Sequence, residues 1–402
     1  MKASDVPCPE WLQKRLEQHG NRVAFSTYMD WALHDPVHGA YGAGQLQVGT
    51  DGDFVTSPSL GEDFSGLLMH QLIEWLEILA ARHPDSLLSL VDVGPGEGDL
   101  IAQLIQLFET SAAHLFDRLE FVLVDINPGM QDRQRQRLKA SAGCRCRWCS
   151  LTELSSNPVI GVMLAHELLD ALPVERLVLK DGSLQRQMVA LQAPGEALAS
   201  LVWADDPLPE ALQLQLQIQM KRDGLQLPPV GAEDGWATEW HHCVKNWMQQ
   251  GHASMADGML LVVDYALESS RYYTARRSDG TLVAYRRQQA SSDVLRDPGC
   301  QDITAHLCVE SLVGDAAAAG WILDGHCRQG EALLALGLAE RLNALQQFAG
   351  DQLAEALRRR EALLRLVDPS CLGELRWFSF HRNAPAASGE DLPPSRYLQE
   401  PC

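Results

Sequence analysis

The chain has 402 residues, 46% hydrophobic and 21% charged, with a formal net charge of -20 at neutral pH. That length allows a large core in one big or two ordinary domains, while the acidity argues against broad binding of a nucleic-acid backbone and suits a basic protein partner. No apolar run reaches the roughly eighteen residues of a membrane span, and MKASDVPCPEW lacks both a secretory core and an Arg-rich transit pattern, so the ten cysteines are expected as reduced thiols of a cytoplasmic protein.

Residues 10–33 place Trp11, Leu12, Leu16, Phe25, Tyr28, Met29 and Ala32 at helical spacing and read as a packing segment. From His34 to Phe64, Gly, Pro, Asp and Ser dominate; a loop this long is either functional or disordered, and Tyr41 and Phe54 argue for order. Phe64 to Ala80 then reads as an amphipathic helix carrying Leu67, Leu68, Leu72, Trp75, Leu76 and Leu79.

The organising stretch is LLSLVDVGPGEGDL, Leu87 to Leu100: a buried apolar run, an acid at Asp92, then Gly94, Gly96 and Gly98 before a helix start. A strand turning through glycines into a helix lets backbone approach a nucleotide-type ligand closely. Asp99 fills the place of the third glycine of a dinucleotide-binding turn, and the Lys-Ser or Lys-Thr pair of a phosphate-cradling loop is absent. Asp92 instead fits a cationic amine, as in the methionine part of S-adenosylmethionine (SAM). Leu100 to Phe108 reads as the crossover helix, and LEFVLVD, Leu119 to Asp125, as a second buried strand. An acid at that strand end suits the two hydroxyls of a ribose, or else caps the helix that Asn127 and Pro128 begin.

The helix Gln131 to Lys139 is polar and expected to be exposed, and Cys144 to Ser150 reads as a third strand with adenine near Trp148 to Leu154. CxCxxC lacks the second pair that zinc usually wants, so no metal is expected. Val159 to Ala165 is a fourth buried strand, followed by HELLDALP, where Glu167 and Asp170 stand three residues apart on one face of a helical turn and point where a substrate would lie. The alternative is a helix cap and salt bridge. HELLD also resembles the zinc-protease HExxH, but Asp170 replaces the second histidine and Pro173 cuts the helix short.

Residues 180–257 show low periodicity and read as an inserted helical and loop subdomain. Met259 to Tyr265 is a fifth strand ending in Asp264; a second polar loop runs to His306; a helix follows near Cys308 to Ala319, a strand at Trp321 to Cys327, one or two long helices between Glu331 and Val367, and a last strand at Leu375 to Phe380. The Pro- and Ser-rich tail after Asn383 is expected to be loose. The expected division is an N-terminal segment 1–80 that covers the cofactor, a core of 81–179 and 258–382, the insertion 180–257 and the tail 383–402.

Several blocks together resemble one family, the MidA-like SAM-dependent methyltransferases, which include an assembly factor of mitochondrial complex I that methylates an arginine. They are YMDWALHDPVHGAYG (Tyr28 to Gly42), GDFVTSP (Gly52 to Pro58), VDVGPGEGDL, HELLDALPV (His166 to Val174), Asp264-Tyr265, RSDGTL and PGCQDITAH (Pro298 to His306). The resemblance implies an α/β, Rossmann-like class I methyltransferase with Gly94, Gly96 and Gly98 at the methionine moiety, Asp125 at the ribose, and Asp53, Thr56 and Ser57 in a loop folded over the SAM. It also implies a protein substrate, such as a respiratory-type dehydrogenase subunit; the long C-terminal helices suit a homodimer or, equally, packing within the chain. His166, Ser59 and Gln288 stand where the family usually has Asn, Glu and His, which bears on substrate and catalysis more than on cofactor binding.

For a guanidinium nucleophile, carboxylates are suitable because paired hydrogen bonds hold its planar fork, which makes Glu167 and Asp170 the candidates. Asp302 and His306, from the second loop, can close the same pocket, with His306 accepting a proton. The alternatives are a SAM-binding assembly protein without turnover, favoured by His166 and Ser59, a small-molecule methyltransferase, and a metal hydrolase.

Overall fold

The structure, a computed structural model, describes residues 7–50, 52–141, 143–192, 194, 199–348, 350–382 and 395–400. At its centre lies a seven-stranded sheet in the order Ile322–Arg328, Arg376–Arg382, Met255–Asp264, Val159–His166, Leu88–Val93, Leu119–Val124, Cys146–Cys149. Pairings from Met255–Asp264 through to Cys146–Cys149 are parallel, and Arg376–Arg382 runs antiparallel to both its neighbours. All six positions of Leu88–Val93 are buried, as expected of a strand covered on both faces. Helices Glu62–Arg82 and Asp99–Ser111 pack one face through Leu72, Leu76, Ile101 and Leu104; Val244–Ala253 and Val309–Ala319 pack the other through Trp247, Met248 and Leu312. Strand order reverses at Leu88–Val93 and Val159–His166, and in such a sheet the reversal opens a ligand crevice at the carboxyl ends.

The expected core strands are present, and the differences lie at the periphery. Strand Arg22–Ala24 interrupts the lead-in between helices Glu10–Gln18 and Phe25–His34 and pairs with Ser183–Gln192. The segment expected to be helical and looped holds most of a second sheet: Glu175–Lys180, Ser183–Gln192, Ser200–Pro207 and Ala237–Trp240 join Arg22–Ala24 in a five-stranded antiparallel layer. Helix Glu210–Asp223 packs on it through Leu216. The strands escaped notice because the sheet buries Glu175, Arg176, Gln187 and Glu239, which break the apolar alternation that marks a strand. Arg176 bonds Glu239 Oε1 at 2.7 Å and Gln187 Oε1 at 2.7 Å, and also pairs with Asp279.

Helix Val244–Ala253 belongs to the central core and not to the insertion. The long C-terminal helical stretch is three helices, Gln329–Ala335, Leu338–Leu345 and Leu353–Val367. Residues 383–394 lie outside the described residues, but the end of the tail expected to be loose is docked. Tyr397 is 1% exposed among Trp75 and Trp377, and its hydroxyl lies 2.9 Å from Ser379 Oγ. Among the described residues no helix is long and apolar enough to cross a membrane.

Candidate active site

The glycine loop leaves Leu88–Val93 with positive φ at Gly94 (68°), Gly96 (52°) and Gly98 (84°), a region where a Cβ is strained. A Cβ on Gly94 would meet Leu168 at 2.5 Å, whereas one on Gly96 has only Val48 Cγ2 nearby, at 4.0 Å. Gly96 thus presents bare backbone to a cleft of about 870 Å³ whose walls include Thr56, Asp92, Asp125, Asn127, His166 and Glu167.

Asp92 is 2% exposed, its Oδ2 has no hydrogen-bond partner, and burial, with the Asp125 charge adding, pushes its carboxyl up to about 8. An orphaned carboxyl oxygen in a buried cleft is an acceptor waiting for a cationic donor. On the neighbouring strand end, Asp125 Oδ1 accepts the Asn127 N–H at 2.8 Å and Oδ2 accepts Gln134 Nε2 at 2.7 Å. Its remaining lone pairs suit a ribose diol, whereas the helix Pro128–Arg137 starts at Asn127 without a side-chain cap, so Asp125 does not cap it. An acceptor for the amine, a loop without side chains and an acid for the diol together fit SAM.

Gln134 is a correction to the sequence reading. It lies in the polar helix Pro128–Arg137, expected to be exposed, yet it is fully buried, donates to Gly96 O at 2.9 Å and accepts from Trp148 Nε1 at 3.0 Å. One amide therefore ties the glycine loop, Asp125 and the third strand together. A glutamine in the run QDRQRQR carries no local signal of burial.

The covering loop divides its tasks differently from expectation. Thr56 lines the cleft, whereas Asp53 and Ser57 do not. Asp53 accepts N–H bonds from Gln47 and Arg287, both at 3.0 Å; its carbonyl accepts that of Gln288 at 2.7 Å, and the Gln288 side chain reaches Thr50 O. Asp53 is thus a latch between the covering loop and the tip of the hairpin Val283–Arg286/Gln289–Ser291. Ser57, fully buried, donates its backbone N–H to Glu167 Oε1 at 3.2 Å and its hydroxyl to Gln329 Oε1 at 3.2 Å. It steadies Glu167.

A second cavity of about 1230 Å³ adjoins the first, and Tyr41, Phe54, Glu167 and Ala171 line both. Its further walls bring together Asp170, Asp302, Tyr265, Tyr285, His306 and Arg365. Glu167 and Asp170 reach it, but not from a helical face. Glu167 has φ 49°, and Leu169–Ala171 is a single 3-10 turn. The capping acid is Asp264, whose Oδ2 accepts from the N–H groups of Leu168, Leu169 and Asp170 at 3.2, 2.7 and 3.3 Å. Glu167 and Asp170 share a cavity wall through the bend at Glu167 and the 3-10 turn after it.

Burial is the main cause that raises these carboxyls; the charges of Asp264 and Asp302 add to it at Glu167 and Asp170, and that of Asp53 adds at Asp302. Glu167 is pushed up to about 8, Asp302 to about 7 and Asp264 to about 6, and Asp170 stands well above its ordinary range. The Tyr41 hydroxyl donates to Asp302 Oδ1 at 3.0 Å. His306 is pulled down to about 4 by burial, and its ring meets Tyr265 edge-on with centroids 5.6 Å apart, so it is neutral near pH 7. Tyr41 and Tyr285 went unassigned in the sequence: Tyr41 lies in a block whose resemblance points to no single residue, and Tyr285 in the second polar loop, where nothing local marks a cavity wall. Among the described residues no group of three or more His, Cys, Asp or Glu is arranged to hold a metal, and Cys144, Cys146 and Cys149 are free.

The comparisons with known proteins agree with this geometry. Over 373 residues the chain is 27% identical to a Xenopus laevis protein named protein arginine methyltransferase NDUFAF7, mitochondrial, covering 82% of this chain and 74% of that one. The Danio rerio protein of the same name is 24% identical over 94% of this chain and 87% of its own. The crystal structure of a COG1565 superfamily member from Burkholderia thailandensis bound to S-adenosyl-homocysteine (SAH) superimposes with a TM-score of 0.80 at 25% identity, covering 98% of both chains. Residues 67–327, which hold the glycine loop, Asp125, Glu167 and Asp170, match the family model Methyltransf_28, and the chain belongs to that family of S-adenosyl-L-methionine-dependent methyltransferases.

Proposed function

We propose that the chain transfers the methyl group of SAM to a guanidinium nitrogen of an arginine in a partner protein. The observation that carries this reading is the second cavity, where Glu167, Asp170 and Asp302 converge beside the aromatic walls Tyr41, Tyr265 and Tyr285 and share Glu167 with the cofactor cleft. When bound, SAM supplies an electrophilic methyl, and the acceptor needs a positioned lone pair in line with it. Carboxylates that pair with two nitrogens of a guanidinium draw the positive charge toward them and leave the third nitrogen free to attack.

Without a ligand these carboxyls hold protons because they are buried. An entering cation favours their ionised forms, so binding of the acceptor releases protons. His306, neutral and at the wall of the same cavity, is the residue positioned to accept the proton that the methylated nitrogen gives up. The names of the Xenopus and zebrafish relatives support an arginine acceptor, and the sequence resemblance supports a respiratory-type dehydrogenase subunit as the partner. A reducing compartment such as the cytoplasm suits the nine cysteines that are free among the described residues.

The test is transfer of labelled methyl from SAM into cell lysate proteins, followed by acid hydrolysis and amino-acid analysis. Label recovered as methylarginine is the expected result. Label in lysine or in a small molecule would replace the arginine reading with another acceptor.

A further inference from the structure

His166 closes strand Val159–His166, in register one step beyond the Val93–Ala165 pair and so beside Gly94, where the glycine loop begins. Its side chain is 8% exposed and lines the cofactor cleft. Phe64 meets the ring edge-on with centroids 5.3 Å apart, and Nδ1 faces Glu167 Oε1 at 3.5 Å. Nε2 has no hydrogen-bond partner at all. Buried polar atoms nearly always have partners, so an orphan in a ligand cleft points to a group on the ligand.

The chemistry of that group follows from the two neighbouring orphans. Burial keeps the imidazole neutral, with its titration pulled down to about 3, so the ring carries one proton. Glu167 Oε1, 3.5 Å from Nδ1 and already accepting the Ser57 N–H, does not fix the tautomer, so Nε2 can carry the ring proton when the ligand presents an acceptor to it. Asp92 Oδ2, on the adjacent strand end, is the orphan suited to a cation, whose arrival ionises that raised carboxyl, which leaves an anionic group to Nε2. A donor and an acceptor on the walls of one cleft match a zwitterionic amino-acid head.

We propose that His166 is a cofactor-binding residue, donating from Nε2 to the α-carboxylate of the methionine half common to SAM and SAH, while Asp92 takes the α-ammonium. This assignment rests on the cofactor alone and is independent of the acceptor's identity.

The experiment compares two ligands by calorimetry on the full chain: SAH, and 5′-methylthioadenosine, which keeps the nucleoside and thioether but lacks the amino-acid head. His166→Leu should weaken SAH by about 10- to 100-fold, the range of a hydrogen bond to a charged group, and leave methylthioadenosine within about threefold. Equal losses for both ligands, or no loss for SAH, would overturn the proposal. Should His166→Leu fail to fold, the ring nitrogens of His166 in the wild-type protein decide by NMR, assigned by their disappearance in His166→Asn. SAH is expected to shift the Nε2 resonance and methylthioadenosine to leave it in place; an unmoved resonance with SAH, or equal shifts with both, would overturn the assignment.

Discussion

Asp92 carries a conflict between stability and ligand binding that one substitution exposes. In the free protein its carboxyl titrates near pH 8 instead of 3.8, because it is buried and Oδ2 has no partner. Since the folded form holds its proton more tightly than the unfolded form, the associated stability is fully present below about pH 4 and is lost as the pH rises toward 8. Each pH unit between those values is worth about 1.4 kcal/mol, so the upper bound is several kcal/mol, of which relaxation of the site leaves about 1–3 kcal/mol as a working figure.

Asp92→Asn replaces the carboxyl with a neutral group of the same shape. Without ligand, wild type and variant should melt within about 1 °C of each other at pH 5 and diverge steadily to pH 8.5, where the variant melts a few degrees higher. The same change removes a charge-assisted bond to the ligand's ammonium and should weaken SAH by about 10- to 100-fold in calorimetry at pH 8. A variant whose melting temperature falls as steeply with pH as that of wild type, or that binds SAH within threefold, would refute the reasoning.

Other substitutions separate the remaining roles. Gly96→Val should reduce SAH affinity by about 100-fold or more with a modest loss of stability, since its Cβ projects into the cleft and the φ of 52° costs about 1 kcal/mol; unchanged affinity in calorimetry would remove the loop from the site. Glu167→Gln keeps an acceptor for the Ser57 N–H, so SAH should bind within a few-fold while methyl transfer into lysate protein falls by about 100-fold or more; retained turnover would sink its catalytic role. Asp53→Ala should open the covering loop, seen as faster proteolysis between residues 47 and 54 and about a threefold to tenfold loss of SAH affinity, with neither effect expected if the latch is idle. Tyr397→Ala should lower stability by about 3–5 kcal/mol through the cavity left between Trp75 and Trp377, measured by thermal melting, against no change if the tail end were loose.

What the sequence made legible was local. The strand and glycine loop at Leu88 to Gly98, and acids at consecutive strand ends, announce themselves within a few residues, because backbone conformation and burial are decided there by near neighbours. Contacts across great chain distances left no such trace. Asp53 meets a backbone N–H at Arg287, Ser57 meets Glu167, and Tyr397 meets Gln71; each residue type is ordinary for a loop and gains its role only from the partner. The second sheet stayed hidden for a different reason. Buried charges such as Arg176 and Glu239 satisfy each other inside it, so its strands do not read as apolar.

That second sheet also changes what kind of unit it is. Arg22–Ala24 contributes its edge, pairing with Met188 to Ala190, so the layer is sewn from two stretches that synthesis separates widely. Residues 175–240 cannot be lifted into another protein as a cassette, since they would arrive with an open edge and without the helix Phe25–His34, whose Phe25 packs against Trp203. During synthesis the first strand must wait for its partner until the glycine loop and the first four core strands have emerged. The layer's last strand, Ala237–Trp240, is nonetheless made before three of the seven central strands, so this layer has all its strands before the central sheet does.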